Sequence, residues 1–440
     1  MTVPLVAIVG RPNVGKSTLF NRLMERRDAI VSDVPGTTRD RLLGDASWDG
    51  RRFTIVDTGG LEPSPQDPLI EKVKAQVEAA VSEADLIIFL LDVAHGLTPM
   101  DTEIANWLRR TQKPLVVAIN KVDNEKREIA ASEFYQLGLE DLLFISAYHN
   151  LGIYDLMDKV VSLLPAPDDE EDEAAEGVVR LAIIDRTNVG KSMLMNAILG
   201  QDRAIVSDIP GTTRDALDTH FTYDDQPAVL VDTAGIRRPG KVERGIEYYS
   251  VLRTVRAVQR CDIALLVMDG SELATAQDAH ISGNAWDEYR GMIVVVNKWD
   301  LVPKEDGSEQ ELAIQAVRER LHFMPYAPIC FTSALLGEGI DELMALATSI
   351  YQERLKHIPP GRLRYALLDA LADQMPPSRK GRRLRIKEVS QVDVNPPTFV
   401  FAVNDPRLVH FSYERYLENR LRSTFGFTHT HLRLVFRERI

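Results

Sequence analysis

The sequence predicts two tandem α/β domains, each with a mostly parallel sheet and helices on both faces, followed by a small α+β domain. Two observations carry this prediction. The segment GRPNVGKST at 10–18 recurs as DRTNVGKSM at 185–193, and other segments recur in the same order. Within each copy, short apolar segments such as DLIIFLLD alternate with helix-length segments, which is typical of strands buried between helices.

The repeat extends well beyond one loop. Four further pairs follow in the same order: AIVSDVPGTTRD at 29–40 with AIVSDIPGTTRD at 204–215, VDTGGL at 56–61 with VDTAGI at 231–236, NKVD at 120–123 with NKWD at 297–300, and ISA at 145–147 with TSA at 332–334. The offset starts at 175 residues and grows only slightly. A tandem domain duplication with small loop insertions explains this pattern, and a solenoid does not.

We predict a first domain at 1–165, an acidic linker at 166–177, a second domain at 178–356 and a third at 357–440. The linker sequence combines like charges with proline and glycine, so it cannot bury apolar surface and should be solvated, although a docking tail remains an alternative. In the last domain RLRIKEVSQVDV, TFVFAVN and LRLVFR predict strands, and SYERYLENRLRSTF predicts an amphipathic helix.

Composition is that of an ordinary soluble protein, with 440 residues and 45% hydrophobic residues. The formal net charge is −13, yet residues 360–440 contain 15 Lys or Arg against 8 Asp or Glu, so a basic module follows an acidic body. No apolar run approaches the roughly 18 residues that span a membrane, and the N-terminal LVAIVG is too short for a signal peptide. We therefore expect a cytoplasmic protein. Cys261 and Cys330 lie in or beside apolar segments, which favours buried thiols over a disulfide or metal site.

The first repeated segment predicts a phosphate-binding loop. Gly10, Gly15, Lys16 and Ser17 match G-x-x-x-x-G-K-[ST], after a strand-like PLVAIV and before a helix-like STLFNRLME. Glycines let backbone N–H groups face phosphate oxygens at a helix N-terminus. A chance glycine turn is the alternative. The predicted nucleotide-binding residues of the two loops are Gly10, Arg11, Pro12, Asn13, Val14, Gly15, Lys16, Ser17 and Thr18, and Asp185, Arg186, Thr187, Asn188, Val189, Gly190, Lys191, Ser192 and Met193.

Residues further along predict a magnesium site and a switch. Thr38 lies in a loop rich in proline and glycine, where its hydroxyl can reach Mg²⁺ only while a γ phosphate is bound. Asp57 ends a strand, and the glycines after it let the next loop approach the γ phosphate. The predicted metal ligands are Ser17, Thr38, Asp57, Ser192, Thr213 and Asp232. The predicted nucleotide contacts of this region are Asp57, Thr58, Gly59, Gly60 and Leu61, and Asp232, Thr233, Ala234, Gly235 and Ile236.

The N-K-x-D segments predict guanine selection. The carboxylate of Asp123 can accept hydrogen bonds from N1–H and the 2-amino group of guanine, and adenine offers neither donor. A backbone N–H of the loop at Ser146 and Ala147 can donate to guanine O6. One N-K-x-D alone is a weak match, but two copies in the right order are not coincidence. The predicted base contacts are Asn120, Lys121, Asp123, Ser146 and Ala147, and Asn297, Lys298, Asp300, Ser333 and Ala334.

With these motifs the chain resembles the EngA/Der family of bacterial GTPases, which have two tandem G domains and a KH-like domain. The resemblance covers essentially the whole chain, including PPTFVFAVNDPRLVHFSYERYLENRLRSTFGF at 396–427. It implies two P-loop GTPase domains, hydrolysis of GTP to GDP and phosphate, and a cytoplasmic role in assembly of the large ribosomal subunit with contact to ribosomal RNA. We expect a monomer without a membrane span.

The family's KH-like domain lacks the G-x-x-G loop of ordinary KH modules, and none occurs at 358–440. RNA binding in a standard KH groove is therefore not expected. The basic segment SRKGRRLRIK at 378–387 can instead contact phosphates, with salt-dependent and largely sequence-independent affinity. A solvated surface loop is the alternative.

The sequence predicts hydrolysis without the usual glutamine. Leu61 and Ile236 occupy the position after D-x-x-G, and neither side chain can orient a water. Relatives with asparagine in the phosphate loop use it to bind K⁺, which would stabilise charge on the transferring phosphoryl group, so the resemblance implies this role for Asn13 and Asn188. Bracing of the loop is the alternative. The predicted catalytic residues are Lys16, Thr38, Gly60 and Asn13, and Lys191, Thr213, Gly235 and Asn188.

The second phosphate loop departs from the first at three positions. Asp185, Thr187 and Met193 replace Gly10, Pro12 and Thr18. A carboxylate at the start of an anion-binding loop weakens binding unless it is screened or protonated, so we expect the second site to be the weaker one. An RNA-binding scaffold with structural nucleotide and little turnover is the alternative function, and a P-loop kinase is disfavoured by both N-K-x-D motifs.

Overall fold

A computed structural model of the chain has one large sheet for each copy of the repeat and a smaller third sheet near the C-terminus. It describes residues 3–24, 43–58, 80–139, 141–165, 177–186, 189–201, 203–206, 218–232, 254–304, 307–379 and 382–438. Most of the predicted linker, 166–176, lies outside these ranges. The predicted site residues outside them are Thr38, Gly59, Gly60, Leu61, Thr187, Asn188, Thr213, Thr233, Ala234, Gly235 and Ile236.

The described residues form two units, 3–165 and 177–438. The strands of the first unit are β1 (Leu5–Val9), β2 (Leu43–Trp48), β3 (Arg51–Asp57), β4 (Leu86–Asp92), β5 (Leu115–Asn120) and β6 (Leu142–Phe144). Its helices are α1 (Lys16–Met24), α2 (Pro99–Arg110), α3 (Glu125–Ala131) and α4 (Ile153–Leu163), with a 3₁₀ helix at Ser132–Leu137. The strand order is β2-β3-β1-β4-β5-β6, and only β2 pairs antiparallel with its neighbour.

Hydrophobic burial explains why this sheet is central. Every residue of β4, LIIFLLD, is buried, as expected for a strand with helices on both faces. Successive side chains point to opposite faces, so Phe89 belongs to one buried apolar cluster and Ile88 to another. The predicted sandwich of helices around a mostly parallel sheet is confirmed.

The second unit repeats this sheet with an extra strand. Its strands are β7 (Val179–Asp185), β8 (Ala204–Val206), β9 (Thr219–Tyr223), β10 (Gln226–Val231), β11 (Ile263–Asp269), β12 (Gly291–Asn297) and β13 (Ile329–Phe331). Its helices are α5 (Lys191–Leu199), α6 (Ala276–Asp287), α7 (Glu309–Arg320) and α8 (Ile340–Arg354), with a 3₁₀ helix at Trp299–Leu301. The order is β13-β12-β11-β7-β10-β9-β8, and β8 and β9 are the antiparallel strands.

The C-terminal part of the same unit is α+β, as predicted. Its helices are α9 (Pro360–Asp373) and α10 (Phe411–Phe425), with a 3₁₀ helix at Pro406–Leu408. Its strands are β14 (Ser378–Arg379), β15 (Arg382–Arg383), β16 (Ile386–Val394), β17 (Pro397–Val403) and β18 (Arg433–Glu438), of which the last three form one sheet. The segments predicted as strands and as an amphipathic helix adopt those structures.

Buried polar contacts join this C-terminal sheet to the second α/β sheet. Arg354, at the end of α8, is fully buried and donates to the side-chain oxygen of Asn395 at 2.7 Å and to the carbonyl oxygen of Tyr289 at 2.9 Å. The amide of Asn395 in turn donates to Asp262 at 2.7 Å. Because buried polar groups are costly when unpaired, these contacts favour one fixed arrangement within the unit.

Two further expectations concern the membrane and the cysteines. Across the described parts of the chain, no helix is long and apolar enough to cross a membrane.

Cys261 and Cys330 are both buried and free, and burial raises the pKa of each thiol to about 12. The prediction of buried thiols is therefore confirmed.

Candidate nucleotide-binding sites

Each candidate site lies at the carboxyl ends of parallel strands. In the first unit β1 runs into the phosphate loop, which leads directly into α1 at Lys16. Asp57 ends β3, and Asn120 ends β5. Since these strands run parallel in one sheet, their carboxyl ends lie along one edge, where doubly wound sheets bind ligands.

Glycine is required at two positions of the first loop. Gly15 has φ +98°, and a Cβ there would lie 2.5 Å from Nδ2 of Asn120. A Cβ on Gly10 would lie 2.3 Å from the carbonyl oxygen of Leu90. The backbone can come this close to Asn120 and Leu90 only where the residue has no side chain. The resulting turn leaves the N-terminus of α1 accessible to a ligand. The residues therefore fit a phosphate group.

One asparagine joins the phosphate loop to the loop at Ser146 and Ala147, which we call the base loop; the loop at Ser333 and Ala334 is its counterpart in the second unit. Nδ2 of Asn120 donates to the carbonyl oxygen of Val14 at 2.9 Å, and its Oδ1 accepts from the N–H of Ala147 at 3.0 Å. Sequence reasoning assigned Asn120 to the base, and the structure adds this structural role. A backbone N–H at Ser146 or Ala147 was predicted to meet guanine O6; here the N–H of Ala147 donates to Asn120 and that of Ser146 donates to the carbonyl oxygen of Leu151.

The same fastening occurs in the second unit. Nδ2 of Asn297 donates to the carbonyl oxygen of Val189 at 3.0 Å, and its Oδ1 accepts from the N–H of Ala334 at 3.0 Å. Gly190 has φ +102°, and a Cβ there would lie 2.6 Å from Nδ2 of Asn297. The duplicated sequence therefore folds into duplicated local geometry at this point.

The two phosphate-loop lysines differ. Nζ of Lys16 donates to the carbonyl oxygens of Gly10 and Arg11, each at 2.9 Å. Lys191 instead has its Nζ 3.8 Å from Oδ1 of Asp185, the residue that replaces Gly10. A carboxylate thus faces the second lysine where the first lysine meets neutral carbonyls.

Asp185 also changes the strand that carries it. β1 ends at Val9, but β7 continues through Asp185, which pairs with Val267 of β11. Burial raises the pKa of Asp185 to about 6, opposed by the charge of Lys191 and assisted by that of Asp278. The carboxyl group therefore keeps its proton up to a higher pH than an exposed aspartate, and it is mostly ionised at neutral pH.

Sequence reasoning missed two carboxylates that hold the lysines of the N-K-x-D segments. Nζ of Lys121 donates to Oδ2 of Asp92 at 2.7 Å, and Nζ of Lys298 donates to Oδ2 of Asp269 at 2.7 Å. Burial raises the pKa of Asp269, but hydrogen bonds from Lys298 and Ser271 outweigh it and hold that pKa at about 2. The signal in the sequence is an aspartate ending β4 and β11 alike.

A second missed pair anchors the arginine of each loop. Nε of Arg11 donates to Oδ2 of Asp101 at 3.3 Å, and Nε of Arg186 lies 3.7 Å from Oδ1 of Asp278. Each aspartate also closes a capping box with a threonine three residues earlier, at the start of α2 or α6. The T-x-x-D spacing predicts the cap. It does not predict that the aspartate of the cap also contacts an arginine about 90 positions earlier in the chain.

The predicted base-reading aspartates are accessible. Oδ2 of Asp123 accepts from Nη1 of Arg127 at 2.6 Å, and its Oδ1 accepts from Nδ2 of Asn124 at 2.6 Å. Asp300 is half-buried in the 3₁₀ helix Trp299–Leu301. Each carboxylate oxygen can accept more than one hydrogen bond, so Asp123 retains capacity for a base.

The predicted metal ligands within the described residues lie at the same edge. Asp57 is 1% exposed at the end of β3, and the next residue, Thr58, donates its hydroxyl to the carbonyl oxygen of Ile8 at 2.7 Å. Ser17 is exposed in the first turn of α1. Asp232 differs from Asp57 because its backbone has φ +56°, and its N–H donates to Asp218 at 3.0 Å. Carboxylate and hydroxyl oxygens are ligands that fit Mg²⁺.

Replacing Gly15 with alanine is expected to abolish nucleotide binding at the first site. The new Cβ would meet Asn120 in a backbone conformation that alanine rarely adopts, so the loop must open and release its hold on the base loop. Titration with a fluorescent GDP would measure the loss. Gly50→Ala is the matched control, because Gly50 also has positive φ (+76°) but would place its Cβ with nothing within 4 Å. Equal losses in both variants would contradict the prediction.

Comparison with known families agrees with this geometry. Residues 5–121 and 180–298 each match the family described as 50S ribosome-binding GTPase, and residues 357–437 match the KH-domain-like domain at the C-terminus of EngA bacterial GTPase enzymes. The protein is thus a GTPase with two P-loop domains and a KH-like domain. It binds guanine nucleotides and hydrolyses GTP to GDP.

Relatives of similar length are also known. GTPase Der of Thermomicrobium roseum is 51% identical over 447 residues, covering 100% of this chain and 97% of that protein. GTPase Der of Chloroflexus aggregans is 50% identical over 446 residues, covering 100% and 99%. The chain belongs to the GTPase Der (EngA) family. A crystal structure of Aquifex aeolicus Era aligns with 59% of this chain and 88% of that one at 24% identity and a TM-score of 0.32, a similarity too distant to bear on function.

Proposed function

We propose that this GTPase is a switch protein in assembly of the large ribosomal subunit, with two unequal nucleotide sites. The observation that carries the proposal is the pair of glycine loops, each fastened to a base loop by one asparagine. A chain with two such sites can respond to nucleotide at each of them. The ribosomal part rests on the matching family, whose description names 50S ribosome binding.

Mg²⁺ is the metal that this donor set favours. At the first site Ser17 and Asp57 would hold it, with Thr38 joining when a γ phosphate is present, and at the second site Ser192, Asp232 and Thr213 would do so. When bound, the ion neutralises charge on the β and γ phosphates. Lys16 and the N–H groups at the start of α1 bind and orient the same phosphates. Asp123 selects the base.

K⁺ is expected to stimulate turnover. Leu61 and Ile236 cannot orient a water, and relatives with asparagine in the phosphate loop use it to bind K⁺. Asn13 has φ +65° and is exposed in the phosphate loop, so its side chain is available to a second cation. Phosphate release should be about tenfold faster in K⁺ than in Na⁺ at equal ionic strength, and Asn13→Ala should reduce that stimulation. Release that is undetectable in both salts would favour a scaffold with structural nucleotide.

The basic C-terminal segment is proposed to contact ribosomal RNA. Arg383, Arg385 and Lys387 are exposed, while Leu384 and Ile386 between them are buried, so the three cations share one face of the chain. Such a face binds phosphates through charge and gives an affinity that falls with salt. Arg420, which pairs with Asp369 and Asp373, is not part of this face.

Co-sedimentation with purified large ribosomal subunits tests the proposal. The full chain with a non-hydrolysable GTP analogue should migrate with the subunits more than the chain with GDP, and less in high salt. A triple alanine variant of Arg383, Arg385 and Lys387 should lose most of the binding, while alanine at exposed Arg364 serves as the control. Absence of binding under either nucleotide would reject the ribosomal role.

A further inference from the structure

Arg22 connects the helix after the first phosphate loop to the base loop. It lies in α1, and its Nε donates to the carbonyl oxygen of Ala147 at 3.0 Å while its Nη2 donates to the carbonyl oxygen of Tyr148 at 2.9 Å. A guanidinium is a planar fork with fixed donor directions, so two bonds to successive carbonyls fix two successive peptide planes.

The rest of the base loop is held from other sides. The N–H of Ser146 donates to the carbonyl oxygen of Leu151 at 2.9 Å, and the reverse bond is 3.1 Å. Asn120 accepts from the N–H of Ala147. In a trans peptide the C=O and N–H point to opposite sides. By binding the carbonyls of Ala147 and Tyr148 from the helix side, Arg22 therefore turns the N–H groups of Tyr148 and His149, which share those planes, away from the helix.

The second domain provides a natural comparison. Lys16 corresponds to Lys191, so the position equivalent to Arg22 is Ala197. Alanine has no side-chain donor, although the bonds of Asn297 to the two loops are retained. The second base loop therefore lacks the arginine fork that holds the first, and this difference is independent of Asp185.

We propose that Arg22 is a positioning residue for base recognition at the first site, and that its replacement by Ala197 contributes to the inequality of the two sites. It holds the carbonyls of Ala147 and Tyr148, which fixes the peptide planes that follow Ala147 and Tyr148 and so sets the direction in which the loop presents its N–H groups to O6 of guanine. The inference rests on the proposed assignment of this loop to guanine. A hydrogen-bond donor that is already held in place loses less conformational entropy on binding than one that must first be ordered, so it contributes more to affinity.

The test uses the full chain with the second site silenced by Gly190→Ala. GDP is compared with the 5′-diphosphate of 2-aminopurine riboside, which lacks the oxygen at position 6 and also the N1–H that guanine carries beside it. Arg22→Ala should weaken GDP binding about tenfold and leave the affinity for the analogue unchanged. Arg22→Lys, which keeps a cationic donor without the fork, should recover part of the GDP affinity. Asn21→Ala, an exposed neighbour on the same helix, should change neither affinity.

The outcomes separate the inference from the proposed function. If Arg22→Ala leaves GDP affinity unchanged, or weakens both ligands by the same factor, Arg22 does not act through O6 and the inference is overturned. If the protein with Arg22 intact binds GDP no tighter than the analogue, the base-loop assignment itself fails, and the inference fails with it. Should the alanine variant not fold, as judged by its melting curve, the lysine variant gives the same comparison.

Discussion

Asp123→Asn is expected to lower GDP affinity at the first site by about two orders of magnitude while raising the affinity for XDP. The carboxylate accepts hydrogen bonds from N1–H and the 2-amino group of guanine, whereas asparagine places a donor against those donors. Xanthine carries an oxygen at position 2, so the same amide can donate to it. Arg127 and Asn124 donate to the carboxylate in the structure, so its position is already restricted before a base binds.

Competition of unlabelled GDP, XDP and ADP against fluorescent GDP measures this change. The second site is silenced by Gly190→Ala so that only the first site is read. Glu125→Gln is the matched control, because it removes one exposed carboxylate two residues away without touching the proposed base contact. If Asp123→Asn keeps the parent's preference for GDP over both competitors, Asp123 does not read the base.

The elements that position the sites could be predicted because their signals are local. Short apolar segments such as LIIFLLD, which alternate with helix-length segments, indicate buried strands, and Gly15 is required where the loop approaches Asn120. The repeat strengthened each of these predictions, because every motif occurs in the same order in both copies. The strands of the C-terminal domain could also be predicted, from the local pattern of apolar and polar residues.

The contacts that the sequence did not reveal join side chains far apart in the chain. Arg11 meets Asp101, and Arg22 meets the carbonyls of Ala147 and Tyr148, more than 100 residues later. No periodicity or spacing encodes such pairs, because they depend on how helices pack on the sheet. The charge of Asp185 was visible in the sequence, but its burial, which raises its pKa, was not.

Asp185→Asn is expected to strengthen GDP binding at the second site about tenfold at pH 8 and to leave it nearly unchanged at pH 5.5. Above a pH of about 6 the carboxylate is ionised and lies near Lys191, so it competes with the phosphates for that cation. Below that pH the carboxyl group is neutral and the competition disappears. The parent should therefore bind GDP more tightly as pH falls, and the asparagine variant should lose this dependence.

The free energy of unfolding should also depend on pH through the protonation of Asp185. The folded protein holds the Asp185 proton more tightly than the unfolded chain, since burial raises the pKa from 3.8 to about 6. Ionising the buried group then costs stability as pH rises between these values, by about 3 kcal/mol in full. The melting temperature of Asp185→Asn should exceed that of the parent by an amount that grows from pH 4 to about pH 6 and stays constant above it.

The GDP titration must read the second site without the first, and both the titration and the melting curve need a control variant with the same change of charge. Gly15→Ala silences the first site, and Asp225→Asn removes one exposed aspartate from a turn of the same unit. The control should shift neither the GDP affinity nor its pH dependence. If the parent binds GDP at the second site equally well at pH 5.5 and pH 8, Asp185 does not oppose the phosphates. The inequality of the two sites would then have to come from positions such as Ala197, where the base loop has lost its arginine.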